Sequence, residues 1–267
     1  RKGCLLRAGI LAALLCGPGF VMKAKAQFNL GMTGGLMAPT AEMNETGTFM
    51  IGGNFMPEKG NPFGYHTGNY FVDFTLFSFL ELAYRETLLK TTYMTSKPKF
   101  NQQDRSFSLK VRVLKEGKYC PALAIGAHDP YKNQGTNYYR NIYGVATKHL
   151  DLKGNVLMLT VGYLGWTGDR NVLQDGVFGS VSFSPVWCRN LSVMAEYDTH
   201  QVNLGLSAKL WKHLSLNAFT EGFDCIAGGA GATGGEAGSG GHGECEGSAY
   251  GTGLGGFVRR PALPEQL

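Results

Sequence analysis

The 267-residue chain is poor in cysteine, in long apolar runs, in helical periodicity and in catalytic signatures, and each shortage closes off a class of protein. Of six cysteines, only Cys120, Cys188, Cys225 and Cys245 follow the first 26 residues. That is too few for a disulfide-stapled scaffold, although an exported chain could join them in any of three pairings. His242 with Cys245 comes nearest to the close ligand spacing of a zinc site, but both fall in a glycine-rich tail, so no metal and no cofactor is expected. The apolar stretch from Ala8 to Leu15 falls well short of the roughly 20 residues a spanning helix needs, and Gly17-Pro18-Gly19 breaks it. A Gly-x-Ser-x-Gly elbow or comparable nucleophile signature is missing, so no enzyme is expected. A durable excess of positive charge is missing too. Arg1, Lys2, Arg7, Lys23 and Lys25 sit in a leader without acids and account for the whole formal charge of +5. Once the leader is removed, the clustered basic footprint of a nucleic-acid binder has gone, and no nucleic-acid partner is expected.

The leader itself is informative. A basic start, an apolar core and the small-x-small triplet Ala24-Lys25-Ala26 before Gln27 form a secretory signal peptide over residues 1–26. Cys16 raises a lipoprotein alternative, which the bulky Leu15 before it disfavours. Because the chain opens on Arg1, it reads as a fragment lacking its first residues.

From Gln27 to Glu221 the sequence is a succession of short period-two stretches closed by turn residues, which predicts an all-β protein. Residues 69–89 are long enough for two strands with a break near Ser78. Residues 138–166 read as a hairpin turning at Lys153-Gly154-Asn155. The spacing predicts roughly ten strands of about nine to eleven residues, the length of a tilted strand crossing a bilayer. Alternation alone does not separate a soluble sandwich from a membrane barrel, since the two reverse which face is wet. The faces themselves favour the barrel. Leu191, Val193, Ala195, Tyr197, Val202, Leu204, Leu206 and Ala208 oppose Ser192, Met194, Glu196, Asn203, Gly205, Ser207 and Lys209. Aromatics near strand ends are read as interfacial girdles: Tyr70, Phe71, Phe74, Phe77, Phe79, Tyr138, Tyr139, Tyr143, Trp166, Trp187 and Trp211. The expected architecture is an antiparallel transmembrane β-barrel of about 10 to 12 strands over residues 27–224. Residues 225–267, glycine-rich and then proline-punctuated, are expected to be a disordered or frameshifted tail that leaves the barrel incomplete.

Several spaced motifs resemble the YjbH family of outer-membrane β-barrel proteins linked to exopolysaccharide or capsule production. They are Gly35, Leu36, Pro39, Thr40 and Ala41, then Glu116, Tyr119, Pro121, Ala124, Gly126 and Asp129, then Thr147 and Lys148, then Ala195 to Asp198. The match covers most of residues 31–221 and departs at the tail. It implies a Gram-negative cell-envelope protein in the outer membrane. The expected partners are outer-membrane lipid, polysaccharide and other export proteins.

The residues offered as a porin-like lumen lining or saccharide path are Arg85, Lys110, Arg112, Glu116, Asp129, Lys148, Glu196 and Asp198. Strand phase supports this choice for one stretch, where Leu109, Val111 and Val113 would face lipid while Lys110 and Arg112 turn inward. A lumen filled by its own salt bridges remains open as a reading, as does a secreted sandwich that binds glycans or partner proteins. Pairs such as His128 with Asp129, Asp198 with His200, and Glu116 with Glu196 carry acid and base groups but no oriented nucleophile.

Overall fold

The computed structural model describes residues 30–59, 64–92, 96–130, 138–167, 174–210 and 213–234. The leader, Trp211, His242 and Cys245 lie outside them. Among the described residues twelve strands form one sheet: β1 (Thr48–Met56), β2 (Thr67–Phe77), β3 (Leu80–Thr91), β4 (Lys99–Leu114), β5 (Ala122–His128), β6 (Asn141–Leu152), β7 (Asn155–Gly165), β8 (Gly176–Ser184), β9 (Leu191–Tyr197), β10 (Val202–Leu210), β11 (Leu214–Glu221) and β12 (Cys225–Gly234). Each pairs antiparallel with its chain neighbours. β1 then pairs with β12, from Phe49 opposite Gly234 to Phe55 opposite Gly228, and the sheet closes into a barrel. Closure removes every free edge and rules out the sandwich.

The twelfth strand corrects the domain boundary. Cys225–Gly234 belongs to the barrel and not to a loose tail, since its backbone meets β11 on one side and β1 on the other. Glycine and alanine forfeit side-chain packing here, but the backbone ladder needs none. Residues 235–267 lie outside the described residues.

The period-two pattern fixes which way each strand faces. In β3, Glu81, Ala83, Arg85, Thr87 and Leu89 are buried while Leu82 is exposed; in β4, Ser106, Ser108 and Lys110 are buried while Phe107, Leu109 and Val113 are exposed. The same alternation puts Ile125, Val161, Tyr163, Val177, Val181, Val193, Leu204 and Leu206 on the outside. Glu86 and Arg105 also sit at outward positions, but their charges face each other at 3.9 Å, and the hydroxyls of Tyr70 and Tyr84 donate to the Glu86 carboxylate.

Small residues on the inner face make room for rings. A Cβ at Gly126 would collide with the Tyr143 ring, and one at Gly162 with Phe178. This accounts for the run Ala122, Ala124, Gly126 along β5. It also corrects part of the girdle expectation: Phe71, Tyr139 and Tyr143 are buried in the interior, whereas Tyr70, Phe74, Phe77, Phe79, Trp166 and Trp187 are exposed. The predicted β6–β7 hairpin is present, with Leu152 opposite Asn155. Lys153 at φ 55° and Gly154 at φ 90° supply the two left-handed residues that a tight hairpin turn requires.

Candidate functional site: a plugged polar interior

Residues 30–43 precede β1 and run through the barrel. Leu30, Met32, Thr33, Leu36, Met37, Ala38, Thr40, Ala41 and Met43 are all buried there. Gly34 bridges Pro39, and the Gly35 N–H donates to the Ala38 carbonyl at 3.0 Å, so the segment folds back in a compact turn. Barrel-wall side chains hold this plug through its backbone.

Four wall residues carry the attachment. Glu196 of β9 accepts from the backbone N–H groups of Leu36 at 2.8 Å, Met37 at 2.5 Å and Ala38 at 2.7 Å. A buried carboxylate is costly unless hydrogen bonds satisfy its oxygens, and the concave array of plug amides does this. On the opposite wall, Lys110 and Glu81 form a 2.6 Å ion pair with both side chains sealed from solvent. Glu81 accepts from the Thr33 N–H at 2.6 Å, and the Lys110 ammonium donates to the Thr33 carbonyl at 2.6 Å. Thr147 of β6 accepts from the Ala41 N–H at 2.9 Å. Shape adds to polarity, because Leu36 fills the hollow left by Gly205, where a Cβ would lie 2.6 Å from its methyls.

A second interior cluster is built on Arg85. Its guanidinium stacks 3.7 Å from the Tyr139 ring centroid and donates to Ser106 Oγ at 2.8 Å. Ser106 in turn reaches Asp129 Oδ2 at 2.8 Å, and Asp129 also accepts from the Phe107 N–H at 3.0 Å. Next to it, Ser108 Oγ and His128 Nδ1 lie 2.7 Å apart, with the imidazole stacked on Tyr143.

The structure separates the eight residues singled out from sequence. Arg85, Lys110 and Glu196 face the interior, and Asp129 joins the Arg85 cluster. Arg112 is half-buried and reaches back to the Ser78 carbonyl of the β2–β3 turn. Asp198 organises the β9–β10 turn, accepting from the N–H groups of His200 and Gln201 and from the Asn203 amide. Glu116 and Lys148 do not line the interior. Lys148 takes an outward register position on β6 and pairs at 3.0 Å with Glu116 of the β4–β5 turn, which also holds His149 Nδ1 at 2.6 Å. Burial pushes the Glu116 carboxyl up, but the hydrogen bonds from His149 and Lys148 outweigh it and hold it below the ordinary carboxylate range. Sequence reasoning missed Glu81, Thr147 and the plug. Glu81 shares the inward phase of Arg85 and could have been found from that alternation.

A closed antiparallel barrel with an apolar exterior and a polar interior filled by its own N-terminal segment defines the class. Within it, the profile described as "Exopolysaccharide biosynthesis protein YbjH" matches residues 26–203, and the chain belongs to this YjbH family. The "Uncharacterized lipoprotein YjbH" of Escherichia coli (strain K12) is 30% identical over 225 residues, covering 72% of this chain. The match takes in only 30% of that relative's length. Among solved structures, outer membrane phospholipase A from Escherichia coli aligns at 9% identity and TM-score 0.34 over 70% of this chain and 92% of its own. The calcium-bound Salmonella typhi phospholipase dimer gives the same identity and TM-score over 70% and 90%. At that level of similarity the barrel assignment rests on the closed strand ladder of this chain.

Proposed function

We propose that this chain is the barrel portion of an outer-membrane protein that assists exopolysaccharide or capsule biogenesis or export without catalysing a reaction. The observation that carries the membrane reading is the outward face. Ile125, Ile142, Val161, Val177, Val181, Val193, Leu204 and Leu206 are 43% to 58% exposed, and together they wrap the consecutive strands β5 to β10. A monomeric soluble protein rarely exposes contiguous apolar surface on that scale, whereas a bilayer requires it. Export to that membrane needs the signal peptide. Cleavage after Ala26 is preferred to lipidation at Cys16, and the name lipoprotein belongs to the Escherichia coli relative.

The non-catalytic reading is supported by the surroundings of the one serine–histidine pair described above. Ser108 and His128 are 5% and 1% exposed and packed beneath Tyr143, with no room shown for an ester or glycoside to approach. The plug gives the saccharide role its physical form. Lys110 and Glu196 are bonded to the plug and contact a polymer only when residues 30–43 leave the interior, so the resting barrel is closed and a partner export protein or the polymer itself opens it. The test combines two measurements on the full chain. Heat-modifiable migration and retention in the outer membrane after alkaline washing are expected; release into the soluble fraction refutes the membrane reading. Loss of secreted polysaccharide on deletion, restored by the wild-type chain, is expected for the biogenesis role. Unchanged polysaccharide refutes it.

A further inference from the structure

Glu42, Glu116 and His149 come from three separated segments and meet where the plug emerges beside β6. Glu42 lies between the buried Ala41 and Met43 at the end of the plug, Glu116 sits in the β4–β5 turn and His149 is near the end of β6. Their three donor atoms lie within 4.8 Å of one another. We propose that they form a divalent-metal site of the zinc class that staples the plug to the barrel wall.

The geometry around His149 carries this assignment. Glu116 Oε2 is 2.6 Å from His149 Nδ1, and Glu116 Oε1 accepts the His149 backbone N–H at 2.8 Å. A carboxylate on Nδ1 fixes that nitrogen as a donor and makes Nε2 the nitrogen that would bind a cation, the arrangement that orients metal-binding histidines. Nε2 points towards Glu42 Oε1 at 3.7 Å. That separation is too long for a hydrogen bond. It is near the ~3.4 Å that separates two donors bound tetrahedrally at about 2.0–2.1 Å from zinc. Lys148 holds Glu116 Oε1 at 3.0 Å, so Glu116 is the orienting carboxylate, while His149 and Glu42 supply the direct bonds. The three side chains keep 15%, 20% and 25% of their exposure, which leaves water to complete the coordination. One imidazole and one carboxylate suit a borderline first-row cation better than the hard, all-oxygen preference of calcium or magnesium. A cation here would link Glu42 of the plug to His149 of the wall and so favour the closed barrel, whatever passes through the open one.

The test is calorimetric titration of zinc chloride into the full chain folded in detergent micelles, beside Glu42→Gln, Glu116→Gln and His149→Gln, each checked for wild-type heat-modifiable migration. One zinc per chain is expected. Binding should be lost in both Glu42→Gln and His149→Gln, and weakened about 10- to 100-fold in Glu116→Gln. Zinc should also slow amide hydrogen exchange over residues 40–43 in the wild-type chain and leave it unchanged in His149→Gln. Absence of zinc binding, or binding retained in either Glu42→Gln or His149→Gln, overturns the assignment; retained binding would move the cation elsewhere in the chain.

Discussion

Replacing Glu196 by glutamine tests whether the plug is held by a buried charge. In the wild-type chain the two carboxylate oxygens take three plug amides, with Met37 and Ala38 on Oε1 and Leu36 on Oε2. Glutamine keeps one oxygen, so at least one amide N–H must face an NH2 group at hydrogen-bond distance. Each hydrogen bond to a charged acceptor contributes roughly 1.5–3 kcal/mol, and the neutral side chain recovers part of that by avoiding the desolvation of a carboxylate. A net loss of about 2–4 kcal/mol in plug docking follows, which is about 30- to 1,000-fold in the undocked population. The assay is hydrogen exchange at the Leu36, Met37 and Ala38 amides, read by mass spectrometry on the folded protein in micelles. Amides of the β6–β7 ladder serve as the internal reference, because they open only with the barrel. The three plug amides should exchange faster by that factor while the reference stays constant, and single-channel conductance in planar bilayers should rise from its plugged baseline. Equal exchange at residues 36–38 in variant and wild type would falsify the argument that Glu196 anchors the plug.

The remaining predictions concern the two faces of the wall and the turn cluster. Ile125→Lys introduces a charge on the outward face of β5 and should cost about 2–4 kcal/mol of folding free energy into lipid vesicles; a cost under about 0.5 kcal/mol, as on a wetted surface, counts against burial in a bilayer. Gly126→Ala drives a methyl into the Tyr143 ring and should lower stability by about 1–3 kcal/mol by overpacking, measured as the heat-modifiability midpoint. Gly144→Ala on the open side of β6, where nothing lies within 4 Å, should be neutral or slightly stabilising, and equal effects at the two glycines would refute the assigned phase. Because the folded Glu116 carboxyl titrates below its ordinary value of 4.5, its contacts stabilise the protein above that pH and are lost as pH falls through the depressed folded value. The midpoint should therefore drop on acidification, and Glu116→Gln should flatten that part of the profile.

Local periodicity was readable and distant partnership was not. The alternation Leu80, Leu82, Tyr84 against Glu81, Ala83, Arg85 is complete within six residues, and the strand realises it with the apolar set outside and the other set inside. The same holds for Leu109, Val111 and Val113 against Lys110. The eight site candidates are charged residues in or beside strands, and charge in a strand marks inward groups such as Arg85 and Glu196 but also Glu116 and Lys148, whose charges pair at a turn. Nothing near residue 36 announces that its amide will meet residue 196, because that contact spans 160 positions and exists only after the barrel has closed around it. β12 was missed for a different reason. Composition argues for disorder when no partner is in view, whereas Gly228–Gly234 gains its order from the backbone ladders of β1 and β11.

That order of dependence bears on how the plug comes to be enclosed. Thr33 is tied to Glu81 and Lys110, on β3 and β4, while Leu36–Ala38 are tied to Glu196 on β9. The first set can form once the early hairpins exist. The second must wait for most of the sheet, and the seam between β1 and β12 then seals both. Apolar residues outside would draw the hairpins to lipid, but inward Lys110, Glu81 and Glu196 cannot remain unpaired in a low-dielectric interior. The plug resolves this conflict by supplying backbone amides and a carbonyl in place of water. A chain cut after the leader and before Thr48 should therefore leave Glu196 without its three donors and Lys110 without its carbonyl. Its barrel should either admit water, and conduct, or fail to close.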